Sequence, residues 1–473
     1  MEITSLIFAG LAITSVFIYY LLKHDYRVAF LTLLSCGFII TFSVPLLFYI
    51  LFYSLLNYLV GIKIKDSIYK KGLFRLGIIL NISQLFILRY ATFAIDPIFQ
   101  LFDINLEVSR ISEFIIPIGI SYFTLQGIGY LVNIKMGWEV PEKNFLKFLL
   151  YISFFPKFLS GPVERSDHFI QQLKAKQEFT ADNVTTGLKS ILWGFFKKVI
   201  IANHLAATIN HLHTGGDSIG GYYVFLIILI QPIYLYFDFS GYTDIALGIA
   251  RTFGIVLLPN FNRPFLSENM TNFWRRFHIS LSSWFNDYIF KQVSFRLRRY
   301  RNNATTTAVF LTWILFGIWH GAGWNFMALG ILQALAIYYE FKTKRQRNIF
   351  FSRIPDSMRI WTGRIFTYSF YSLSLTFFFS SDLPAASITF TKLIKQSHFA
   401  YGNFLSEPLL FGLLFAFIFL VYETVSSDHE KLFSRIQGFW NSHRYLRIVT
   451  YYAAILLILT QLDSSSSFIY EMF

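Results

Sequence analysis

Long, predominantly apolar runs separated by short basic or polar stretches make up most of this chain. Ile3 to Leu22 is long enough to cross a hydrocarbon core of roughly 30 Å at about 1.5 Å per residue. It follows Glu2 and precedes Lys23 and Arg27, an order that suits an uncleaved first span with its N-terminus outside. Val28 to Ile62 is too long for one crossing, and Pro45 predicts a break within it. Further apolar segments lie near 74–90, 114–134, 145–162, 188–210, 222–250, 307–340, 362–380, 408–423 and 447–461. Two of these are long enough to be doubled or broken, so roughly 10–13 crossings are expected.

The polar stretches orient the spans. Lys63, Lys65, Lys70, Lys71 and Arg75 mark a cytoplasmic loop, and the basic stretches 341–364 and 430–447 predict two more. The near-neutral connection 381–407 and the tail with Asp463 and Glu471 are expected outside. The fold class that follows is all-α and multi-pass. It reads as one membrane domain: N-terminal helices over 1–110, a core over 111–345 and C-terminal helices over 346–473. No internal repeat marks the paired halves common in transporters.

Composition sharpens this reading. Hydrophobic residues are 55% of the chain and charged residues only 14%, against roughly 25% in soluble domains. Net charge is +14, but the basic clusters fall between apolar spans, so topology explains them better than nucleic-acid binding does. Cys36 is the sole cysteine, which excludes an intramolecular disulfide and a cysteine-based metal site.

An ionisable group costs a few kcal/mol in a bilayer unless it faces a partner or water, so polar residues within apolar stretches carry the information. His320 closes the run Trp313-Ile-Leu-Phe-Gly-Ile-Trp319-His320, followed by Gly321, Gly323 and Trp324. An imidazole there can serve as general base on a hydroxyl, with Trp319 and Trp324 walling a pocket. The bland alternative is a histidine hydrogen-bonded within a helix bundle.

A second cluster runs from Asn262-Arg-Pro-Phe265 to Asn272-Phe-Trp-Arg275-Arg276-Phe-His278. Helical spacing would put His278 on one face with Trp274 and Ser282. Its two readings are a polar cavity lining and an interfacial helix with snorkelling arginines. Asp238 and Asp244 form a third cluster, expected to ion-pair with Arg275 or Arg276 or to orient a histidine; a proton relay is the rival role. His211 and His213 read as a loop feature, since no further ligands at metal spacing accompany them.

At these residues the chain resembles the membrane-bound O-acyltransferase family, in particular its bacterial branch with the alginate O-acetylation and teichoic acid D-alanyl transfer proteins. Five stretches carry the likeness in order: Ile116 to Gln126, Phe154 to Pro162, Trp193 to Ala202, Asp238 to His278, and Gly317 to Gly321. The resemblance implies a ring of helices around a thin central region with funnels toward both faces. By it, His320 matches the family's catalytic histidine and His278 its second functional position. Asp238, Asn262, Arg275, Arg276, Trp319 and Trp324 would line or brace a tunnel.

The reaction implied passes an acyl group, acetyl foremost, from a cytoplasmic thioester such as acetyl-CoA to a hydroxyl of an extracytoplasmic polysaccharide, or to a partner acyltransferase outside. No permanently bound cofactor, metal or nucleic acid is expected, and a bacterial inner membrane is the implied location. D-alanyl transfer from a carrier-protein thioester, and a transporter or acyl channel without chemistry, are the alternatives.

Overall fold

The computed structural model describes residues 5–90, 93, 119–159, 161–214, 220–395 and 406–462. Outside them lie the start of the Ile116 stretch, Gly215 and Gly216, part of the 381–407 connection, and the tail with Asp463 and Glu471. The described residues contain no strand, only a single bridge between Phe261 and Phe277. They divide into two compact units, Met1–Ile191 with Thr243–Pro259, and Leu192–Tyr242 with Asn260–Phe473.

The first unit begins with α1 (Leu6–Leu21), α2 (His24–Ile40), α3 (Val44–Asp66) and α4 (Lys70–Leu85). Ser5 caps α1 by accepting from the Phe8 amide at 3.2 Å. The break expected at Pro45 is present: Ser43 caps α3 and the proline sits in its first turn, where no amide donor is missed. Next come α5 (Ile120–Met136), α6 (Phe145–Ser153), α7 (Ser166–Lys174) and most of α8 (Ala181–Phe195). The apolar segment 145–162 is therefore not a continuous span; α6 has nine residues and the chain turns after it.

Polar side chains in this unit find partners from neighbouring helices, as desolvated groups must. The Tyr53 hydroxyl donates to Asn81 Oδ1 at 2.6 Å, and the Asn81 amide donates to Asn57 Oδ1 at 2.8 Å. Lys157, almost wholly buried, donates from Nζ to Gln126 Oε1 at 2.8 Å and to the Tyr151 carbonyl at 2.5 Å. That lysine belongs to the Phe154 to Pro162 stretch, so part of the recognisable pattern is structural.

The second unit starts with a π-helical segment, Phe196–Ala202, followed by α9 (Asn203–Thr214) and α10 (Gly221–Thr252), whose residues from Thr243 belong to the first unit. The segment 203–214 is helical, so His211 and His213 lie on a helix, not in a loop. Then follow the short helices α11 (Met270–Trp274), α12 (Ile279–Phe285) and α13 (Lys291–Arg296). The long pair α14 (Asn302–His320) and α15 (Trp324–Phe351) resolves the apolar segment 307–340 into two helices broken at Gly321–Gly323. After these come α16 (Asp356–Phe379), α17 (Leu383–Lys395), α18 (Glu407–Asp428), α19 (Glu430–Ser442) and α20 (Arg444–Gln461).

Close backbone approach shapes this unit. A Cβ on Gly317 would lie 2.3 Å from the Phe326 carbonyl oxygen, so only glycine lets α14 meet α15 this closely. Among the described residues, four helical stretches are long and apolar enough to cross a membrane: Val44–Asp66, Lys70–Tyr90, Gly221–Thr252 and Glu407–Asp428.

Candidate active site

The second unit brings the two motif histidines to one cavity. His320 is the last residue of α14, beside the Gly321–Gly323 break. Its ring packs against Phe316 at 4.9 Å, Trp319 at 4.9 Å and Phe378 at 5.6 Å between centroids. His278 takes a left-handed backbone, φ 49° and ψ 48°, between α11 and α12. Continuous helical spacing through Trp274, His278 and Ser282 is thus interrupted at the histidine itself.

Local hydrogen bonds hold that irregular conformation. The Ile279 amide donates to the Asn260 carbonyl at 2.9 Å, and the Ser280 hydroxyl donates to Asn260 Oδ1 at 2.5 Å. The Ser282 hydroxyl reaches back to the His278 carbonyl at 3.0 Å. A non-glycine residue held at positive φ is uncommon and concentrates at functional sites. The His278 ring meets Phe239 at 4.7 Å and Trp319 at 6.0 Å.

Both histidines line a narrow cavity of about 20 Å³, room for about one or two water-sized groups. The rest of the lining is Leu235, Trp274, Phe277, Phe316, Leu329, Gln333, Tyr371, Leu375 and Phe378. Gln333 is tied at both ends, accepting from Trp274 Nε1 at 3.1 Å and donating to Ser374 Oγ at 2.9 Å. No carboxylate is among the lining residues. An apolar enclosure with two imidazoles can hold a small neutral acyl group and move a proton to or from a hydroxyl beside it.

The other residues singled out by sequence are placed differently. Trp319 is buried against both histidine rings but is not a lining residue, whereas Trp324 is 61% exposed. Asn262 and Arg275 are exposed and Arg276 is half-buried, and none of them lines the cavity. Backbone, not side chain, links two of them: the Asn262 amide donates to the Arg276 carbonyl at 2.9 Å. The Asp238 carboxylate, fully buried, pairs with Lys198 of the π-helical segment, where Arg275 or Arg276 had been expected.

Gln333, Tyr371, Leu375 and Phe378 carry no motif and were not found by sequence reasoning. Gln333 alone had a signal, as a polar side chain within the apolar run 307–340. Among the described residues no group of three or more His, Cys, Asp or Glu could hold a metal ion.

Residues 139–382 match the pattern of MBOAT, the membrane-bound O-acyltransferase family. A probable alginate O-acetylase of Pseudomonas aeruginosa is 32% identical over 339 residues, 68% of this chain and 63% of that protein. The peptidoglycan O-acetyltransferase of Helicobacter pylori is 30% identical, covering 70% of this chain and 66% of its own length. A teichoic acid D-alanyltransferase of Bacillus subtilis is 32% identical over 56% of this chain and 69% of its own. The matched region thus spans under two thirds of the first two of these relatives. With its long apolar helices and a matched region covering half the chain, this integral membrane protein belongs to the membrane-bound O-acyltransferase family.

Proposed function

We infer that this protein transfers an acyl group, acetyl foremost, from a thioester donor to the hydroxyl of an extracytoplasmic glycan or to a partner acyltransferase that passes it on. The single observation that carries this reading is the meeting of His320 and His278 in one small, otherwise apolar cavity. The hydroxyl oxygen attacks the acyl carbon, the carbon–sulfur bond breaks, and the hydroxyl proton ends on the thiolate. His320 takes that proton as general base and returns it, or holds the acyl group briefly on its ring before the acceptor arrives. His278, on the same cavity, orients the carbonyl or stabilises charge as it develops. The donor is acetyl-CoA or another acyl thioester, and a bacterial inner membrane is the setting that suits the relatives' glycan acceptors.

The cavity lining supports the acetyl reading. A D-alanyl group carries an ammonium, and a buried ammonium needs a carboxylate or several acceptors; none of the lining residues is acidic. A channel without chemistry would not need two imidazoles beside one small cavity. Reconstituted protein offered acetyl-CoA and a D-alanylated carrier protein tests this directly. Transfer from acetyl-CoA alone is expected; transfer from the D-alanylated carrier alone would replace the acetyl reading.

A further inference from the structure

Tyr371, Leu375 and Phe378 of α16 lie at i, i+4 and i+7, so one helix face supplies a whole wall of the cavity. Three wholly buried side-chain amides clamp that stretch. Gln231 Nε2 donates to the Ser372 carbonyl at 2.6 Å, and Gln333 Nε2 donates to Ser374 Oγ at 2.9 Å. Asn325 Nδ2 donates to the carbonyls of Phe377 at 3.0 Å and Ser380 at 2.8 Å, gripping the helix end on both sides of Phe378. For the wall to retreat, buried amide donors would have to give up their acceptors, which is costly. The wall is therefore rigid, and it stands at the reacting ring: the Phe378 and His320 centroids are 5.6 Å apart with planes at 84°.

Resting on the acyl-transfer reading, we propose that Phe378, backed by Leu375, is a size filter that limits the transferred group to two carbons. The room beside the histidines takes about one or two water-sized groups, which an acetyl methyl and carbonyl oxygen fill. A third carbon would have to displace the Phe378 ring, and the clamped backbone keeps the helix from carrying that ring away. Specificity for acetyl then comes from the α16 wall, not from the histidine motifs.

The test uses the full chain in liposomes with acetyl-, propionyl- and butyryl-CoA, and reads free thiol released when water serves as acceptor. In that step the acyl–sulfur bond breaks, the water oxygen takes the acyl carbon, and a water proton goes to the thiolate. Wild type is expected to favour acetyl over propionyl by roughly 10- to 200-fold, the discrimination one methylene gives in a tight pocket. Phe378→Ala is expected to lower that ratio about tenfold or more. Equal use of the three donors by wild type overturns the filter, whether or not any variant folds. So does an unchanged ratio in both Phe378→Ala and Leu375→Ala. Folded wild type that consumes none of the three donors instead sinks acyl-CoA as the donor, and the filter with it.

Discussion

Trp319 packs against both histidines, its ring 4.9 Å from that of His320 and 6.0 Å from that of His278, edge-on to both. A shared aromatic neighbour of this kind fixes two imidazoles relative to each other. Replacing Trp319 with alanine should lower the transfer rate by about 10²-fold, the usual cost of misplacing reacting groups by about 1 Å. Trp319→Phe should recover much of that loss. Initial rates measured on folded, reconstituted variants decide it; equal rates for wild type and Trp319→Ala would remove the positioning role.

The ion pair of Lys198 with Asp238 is buried on both sides, at 4% and 0% side-chain exposure. Removing one partner takes this ion pair from a buried charge, which typically costs about 3–5 kcal/mol. Lys198→Met should therefore lower the unfolding midpoint in detergent sharply, and Lys198→Met with Asp238→Leu should restore part of it. If the double variant is less stable than the single, the pair is not the source of the effect.

Gly317 is placed where α14 and α15 cross, and an added Cβ would meet backbone that has no freedom to swing away. Gly317→Ala should destabilise by about 1–3 kcal/mol as the helices part. Because His320 follows on the same helix, activity should fall as well. Thermal unfolding and transfer rate measured together would show both effects, and a variant of wild-type stability would refute the crossing.

A pH effect is expected from the loop after α5. Burial pushes the Glu139 carboxyl up to about 7, against the help of hydrogen bonds from Ser166 and from Asn133 Nδ2, the latter at 3.3 Å. The folded state thus binds this proton more tightly than the unfolded chain does. Stability from this group is fullest below the unfolded value near 4.5, declines as pH rises, and levels off above about 7. Glu139→Gln should flatten the decline between pH 5 and pH 8 in unfolding experiments. A wild type whose midpoint rises over that interval, with Glu139→Gln rising equally, would contradict the assignment.

The helical class and both histidines were legible in the chain. Apolar run length and Pro45 announce α2 and α3, and His320 stands out as a polar group between glycines and tryptophans. What lay beyond reach is three-dimensional. Asp238 reads in the sequence as a charge needing a partner, but only packing shows that Lys198 faces it while Arg275 is exposed. The break at His278 has no glycine to signal it; hydrogen bonds from Ile279 and Ser280 to Asn260 impose it from a distant stretch. Phe378 and Leu375 look like any span residues, since a wall is defined by what stands opposite.

The most direct measurement is transfer of label from radiolabelled acetyl-CoA in liposomes by wild type, His320→Ala and His278→Ala, each shown to be folded. The account predicts labelled acceptor or labelled protein with wild type, reduced by about 10²–10⁴-fold in His320→Ala as expected for loss of a general base, with a smaller loss in His278→Ala. Full transfer by folded His320→Ala would contradict it.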